Sequence, residues 1–156
     1  MPQAEQNPEE KRVTAICNGT VIDHIPSDAT FHVAQILQVE REQHMVTVGI
    51  NLASNHLGKK GIIKIENREL TPDEVNKIAL LAPEATVNII SDFQVVEKSR
   101  VQLPEIIERV VACFNPRCIT NQQTVITRLQ VIEPSPLVLR CLYCERVMRG
   151  GEIILK

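Results

Sequence analysis

Four cysteines near the C-terminus, Cys113, Cys118, Cys141 and Cys144, fall as C-x4-C, then 22 residues, then C-x2-C. Two short loops that each present two thiolates can surround one ion, and soft sulfur donors select zinc in a tetrahedron with Zn–S near about 2.3 Å. Buried free thiols would be the plainer reading, but chance rarely pairs them into two such knuckles. A disulfide framework fits worse, because the total of five cysteines is odd and the chain reads as cytosolic. Four thiolates leave no open position for water, so the spacing predicts one structural Zn2+ per chain and not a catalytic ion. His24, His32, His44 and His56 all lie far upstream, which disfavours a mixed Cys/His site. The fifth cysteine, Cys17, reads as a small apolar residue on a strand.

What the zinc has to hold follows from the amount of chain around it. At 156 residues there is room for one ordinary domain, or for a domain of roughly 100 residues and a smaller one. With 17 Lys+Arg against 19 Asp+Glu, the net charge of −2 lacks the positive excess that phosphate-backbone binding favours. Phe31, Phe93, Phe114 and Tyr143 are the aromatic residues, too few to stack a run of unpaired bases. A zinc-ribbon nucleic-acid or transcription accessory protein is therefore the weaker alternative. Residues 1–12 are polar and acidic, with no signal-like apolar run, and read as a flexible tail. No apolar stretch reaches the roughly 18 residues a bilayer demands. The expectation is a soluble cytoplasmic chain with no membrane and no nucleic acid among its partners.

The order of elements suggests two domains. Val13–Cys17, an Asn18-Gly19 turn and Thr20–Ile25 read as strand, turn and strand. Phe31, Val33, Ala34, Ile36 and Leu37 recur at helical spacing across residues 28–38. Val46, Val48, Ile50 and Leu52 alternate as a half-buried strand, and a loop with Asn55, Gly58, Lys59, Lys60 and Gly61 precedes a strand at Ile62–Glu66. Thr71-Pro72-Asp73-Glu74 is a capping box with proline at the first helical position, and Pro83 stops that helix. Strands at Thr86–Ile90 and Phe93–Glu97 follow. The sum is an α+β chain: a ferredoxin-like split βαβ domain with an extra strand at each end, then a small all-β zinc domain from about residue 101. So small a module lies near the limit for folding unaided, and zinc supplies what its core lacks.

No catalytic signature is present. Gly58-Lys59-Lys60 lacks the glycine spacing and hydroxyl of a P-loop, and neither G-x-S-x-G nor H-E-x-x-H occurs. The expectation is a non-enzyme. Asp23-His24 at a strand end, with Lys60, Lys64 and Lys98 brought towards one edge by the fold, points instead to binding of a phosphate-bearing ligand.

Several motifs then occur in one order: Gly19-Thr20-Val21-Ile22-Asp23-His24-Ile25-Pro26, Ile63-Lys64-Ile65-Glu66-Asn67, Ala82-Pro83-Glu84-Ala85-Thr86-Val87-Asn88, Lys98-Ser99-Arg100 and the paired knuckles. From about Val13 to its end the chain resembles the regulatory chain of aspartate carbamoyltransferase. The resemblance implies a non-catalytic subunit that senses CTP, UTP and ATP and controls pyrimidine biosynthesis through separate catalytic chains. It implies regulatory dimers, and holoenzymes of two catalytic trimers and three regulatory dimers. It places Asp23 on the ribose and His24 and Lys98 on the phosphates. Lys64 and the backbone near Ile16 and from Asn88 to Ile90 would read the base. Val13, Val21, Phe93 and Val95 would line the pocket, and Lys60 would approach the phosphates of a second nucleotide. Asn115 and Glu145 become candidate contacts with the catalytic chain. The domains so implied are a tail over 1–12, an allosteric nucleotide-binding domain over 13–100 and a zinc-binding domain over 101–156.

Overall fold

The computed structural model describes residues 15–156. Grouped by contacts, the chain forms two units: the first runs up to Thr71 and adds Glu84–Val101, and the second comprises Pro72–Pro83 and Gln102–Lys156.

The first unit holds strand β1 (Gly19–Pro26), a 3-10 turn at Ser27–Ala29, helix α1 (Thr30–Ile36) and the long hairpin β2 (Val46–Ser54) and β3 (Gly58–Glu66). Helix α2 (Pro72–Leu81) follows in the chain, and β4 (Thr86–Ser91) and β5 (Gln94–Arg100) complete the unit. The five strands order as β2-β3-β1-β4-β5, all antiparallel. Without β5 this is the strand order of a ferredoxin-like split βαβ sheet. Thr20, Ile22, Ile63 and Ile65 alternate onto one face of β1 and β3 and are fully buried. Gly61 shares that face, and a Cβ there would run into the side chain of Thr30 at the start of α1, so glycine is what lets the helix lie close. Val33, Ala34 and Leu37 supply the buried stripe of this helical segment.

Three elements differ from the sequence expectation. Among the described residues, the segment before Asn18 is not a strand, and Asn18-Gly19 makes no hairpin turn. Gly19 instead opens β1 at φ 141°, pressed against the backbone of Ile65, while the Cys17 carbonyl accepts the Phe93 N–H at 2.9 Å. The expected loop over 55–61 is mostly strand, since β3 begins at Gly58 and Lys60 pairs laterally with Pro26. The real two-residue turn is Asp92-Phe93, with φ of 50° and 64°, closing the hairpin between Ser91 and Gln94. Positive φ at both central residues is the type I′ habit that matches strand twist.

By contacts, α2 is grouped with the second unit. Leu80 packs on the second unit's core and, with Leu81, lines a cavity of about 380 Å³ against Leu137, Val138, Ile153 and Leu155. The strands are short: β6 (Ile106–Glu108), β7 (Val111–Ala112), β8 (Arg128–Pro134), β9 (Leu137–Cys141), β10 (Val147–Arg149) and β11 (Ile154–Leu155), with one helical turn, α3 (Ile119–Gln122). Sheet β10-β9-β8-β6 and the pair β11-β7 surround Ile107, Val110, Val111, Leu129, Leu139 and Met148, with Cys113, Cys118 and Cys141 among them. The thiols are thus part of the core that their metal completes.

Candidate metal centre and anion-binding sheet face

The first knuckle leaves β7 at Cys113 and returns at Cys118, which caps α3; the Cys118 N–H bonds the Asn115 carbonyl at 3.0 Å. The second leaves β9 at Cys141 and is closed by the Glu145 N–H on the Cys141 carbonyl at 2.8 Å, with Glu145 at φ 63°. The four Sγ atoms lie within 4.8 Å of one another, with Cys113–Cys144 at 3.6 Å and Cys118–Cys141 at 3.7 Å. A zinc tetrahedron with the usual bond length has sulfur–sulfur edges of about 3.8 Å. The cage therefore fits one structural Zn2+, held by Cys113, Cys118, Cys141 and Cys144. The Thr120 hydroxyl donates to Cys118 Sγ at 3.1 Å, an outer partner of the kind that fixes a ligand's orientation.

Burial pushes the Cys113 and Cys141 thiols up. At Cys144 burial acts the same way but is outweighed by hydrogen bonds, above all from the Arg146 backbone, and the thiol is pulled down to about 7. Beside the cage, Arg146 stacks over the Phe114 ring at 5.2 Å. Asn115 is half-buried, with its side-chain oxygen taken by the Arg117 N–H at 3.1 Å, while Glu145 is exposed. Phe114, Ile119, Ile126, Leu142 and Tyr143 are also exposed on this unit.

The second site is a sheet face, and register builds it. Lys64 of β3 pairs with Val21 of β1, Val21 with Asn88 of β4, and Asn88 with Lys98 of β5. Paired residues share a face, so an ammonium at each end flanks Val21 and Asn88 in one row. The next row runs Asp23, Thr86, Arg100.

His24 would ordinarily point the other way, being adjacent to Asp23 on a strand. It does not, because β1 carries a bulge against β3 between Ile22 and Ile25, with His24 at φ 57°. Its Nδ1 lies 3.1 Å from Thr86 Oγ1 and 4.0 Å from Asp23 Oδ2. An extra residue that re-aims a side chain is the common use of a bulge near a functional site.

Asp23, Lys60, Lys64 and Asn88 are each less than a tenth exposed. Lys60 Nζ reaches both carboxylate oxygens of Asp23, at 3.0 and 3.2 Å, and the His24 N–H donates to Asp23 Oδ1 at 2.6 Å. Ile16 is buried, Val21 and Ile90 are half-buried and Lys98 is exposed. Val95 pairs with Ile90 on this face but is more than half exposed, as is Phe93 at the hairpin tip. Val13 lies outside the described residues. Thr86 escaped the sequence reading, because its bond to His24 depends on strand register.

A sheet face that gathers cations, joined in the chain to a cage that four thiolates close around one metal, places the chain in the class of metal-stapled α+β proteins. The family model described as aspartate carbamoyltransferase regulatory chain, allosteric domain, matches residues 11–102, and that for the same chain's metal binding domain matches residues 105–154. The aspartate carbamoyltransferase regulatory chain of Pyrococcus abyssi is 49% identical over 147 residues, covering 93% of this chain and 97% of that one. Those of Methanothermobacter thermautotrophicus and Bacteroides thetaiotaomicron are 48% identical over 149 residues and 43% over 150; 95% and 96% of this chain, and 96% and 98% of theirs, are covered. The chain belongs to the aspartate carbamoyltransferase regulatory chain family. It is a regulatory, non-catalytic subunit, and that role implies association with catalytic chains. Among the described residues no helix is long and apolar enough to cross a membrane.

Proposed function

We propose that the sheet face carrying Lys64, Val21, Asn88 and Lys98 binds CTP, UTP and ATP, and that the zinc unit passes the state of that site to the catalytic chains. The observation that carries this reading is the lateral row of register partners, ammonium to ammonium, lying beside Asp23, His24 and Lys60. Phosphates suit the cationic positions, with His24 and Lys98 foremost, while the carboxylate of Asp23 suits a ribose hydroxyl. Exposed Phe93 and Val95, next to half-buried Val21 and Ile90, offer apolar surface to a base, with Lys64, Ile16 and Asn88 at its edge. Lys60 lies on the Asp23 side, where a second nucleotide would bring its phosphates.

The allosteric part spans 13–100 and the zinc part 101–156, a division supported by the break between the two family matches. Asn115 and Glu145, at the two knuckles, contact the catalytic chain. The chain works in the cytoplasm as a dimer, three dimers joining two catalytic trimers in control of pyrimidine synthesis.

Control needs no chemistry in this chain. A nucleotide that binds one quaternary state more tightly shifts the assembly towards it, and CTP and ATP act oppositely from overlapping sites by preferring opposite states. The test is reconstitution: the zinc-loaded chain is mixed with a carbamoyltransferase catalytic trimer, and aspartate saturation is measured with CTP, UTP and ATP. The curve moves with each nucleotide, and Lys98→Ala removes the shift. An unchanged response in that variant refutes the site.

A further inference from the structure

The row containing Asp23 and Thr86 ends at Arg100, whose guanidinium is held by a carboxylate. Arg100 Nη2 lies 2.6 Å from Glu84 Oε2, and the same oxygen lies 3.3 Å from His56 Nε2. These three come from separate elements: Arg100 from the end of β5, Glu84 from the segment before β4, His56 from the turn between β2 and β3. Arg100 is two residues from Lys98 on one face, and beside Thr86, which bonds His24. Successive strands are about 4.8 Å apart, so the Arg100 backbone stands roughly 10 Å from that of Asp23, within reach of one extended arginine side chain from the His24 end of the site.

We infer that Glu84 is a carboxylate clamp that competes with nucleotide phosphate for Arg100 and so sets how tightly the site holds a triphosphate. The inference rests on the nucleotide reading above. Carboxylate and phosphate offer a guanidinium the same forked acceptor, so one can replace the other without reorganising the donor. The ion pair is exposed, at 59% for Arg100 and 39% for Glu84, and exposed pairs hold weakly, so a bound anion can break it. His56 sharing the Glu84 oxygen gives the released carboxylate a partner and keeps it away from the phosphate. A longer polyphosphate reaches further along the row, so the clamp acts on triphosphates more than on monophosphates.

Calorimetric titration of the full zinc-loaded chain with CTP, ATP and CMP tests this in wild type, Glu84→Gln, Arg100→Ala, the double variant and Lys98→Ala. Glu84→Gln tightens both triphosphates roughly two- to five-fold, the range that corresponds to losing one exposed ion pair. Arg100→Ala weakens both triphosphates and barely moves CMP. In the Arg100→Ala background, Glu84→Gln no longer has an effect, which separates release of Arg100 from mere loss of a negative charge. If Lys98→Ala weakens binding while Arg100→Ala leaves it unchanged, or if Glu84→Gln acts equally with and without Arg100, the clamp is wrong and the nucleotide site stands. If wild type binds neither triphosphate, the nucleotide reading fails and the clamp with it.

Discussion

Replacing Lys60 with methionine should cost far more stability than a surface lysine would. Lys60 and Asp23 are about nine-tenths buried and in contact through both carboxylate oxygens, at 3.0 and 3.2 Å. Methionine fills the volume of the lysine stem but takes the ammonium away from the Asp23 carboxylate, which keeps the hydrogen bond from the His24 N–H at 2.6 Å. Removing one member of a buried pair costs about 3–5 kcal/mol, and the surviving hydrogen bond argues for the lower end, about 3 kcal/mol. Amide hydrogen exchange read on peptides from β1 and β3 isolates this unit from the zinc unit, and that loss accelerates globally protected amides by roughly a hundred-fold. Lys60→Met with Asp23→Asn should recover to within about 1 kcal/mol of wild type, since a neutral amide still accepts the His24 N–H and leaves no buried charge. A single-variant cost below about 1 kcal/mol, or a double variant no more stable than the single, would show that the buried Lys60–Asp23 pair does not hold this unit.

Gly61→Ala should destabilise the first unit by more than about 2 kcal/mol, as its Cβ enters the space of Thr30, and adding Thr30→Ala should restore part of that in urea titrations. Phe93→Gly should leave the fold intact and stabilise it by up to about 1 kcal/mol, because glycine meets a φ of 64° without strain; lower thermal stability would contradict the turn assignment. Removing zinc with a chelator, or Cys118→Ala, should unfold residues 102–156 as seen in amide exchange and abolish assembly with catalytic trimers, while nucleotide titration of the first unit persists. An intact complex without metal would overturn the structural role of the cage.

Spacing alone carried the metal centre, because each knuckle is a local loop and a ligand's identity does not depend on what packs around it. The start and stop of α2 were equally local: Thr71-Pro72 and Pro83 act through their own backbone. The alternating apolar residues of β1, β2 and β3 likewise announced strands, and their order announced the sheet.

Tertiary structure decided what those elements do together. Period-two alternation assigns Asp23 and His24 to opposite faces; one bulge against β3 brings them to the same polar cluster. Lys60 looked like a loop cation until pairing extended β3 through it and buried its ammonium against Asp23. Leu80 of α2 packs on the core of the zinc unit, a contact that no periodicity announces. A sequence determines conformations that neighbouring residues enforce on one another; which side chains meet across strands depends on register and bulges, and those are fixed only when the whole sheet closes on its core.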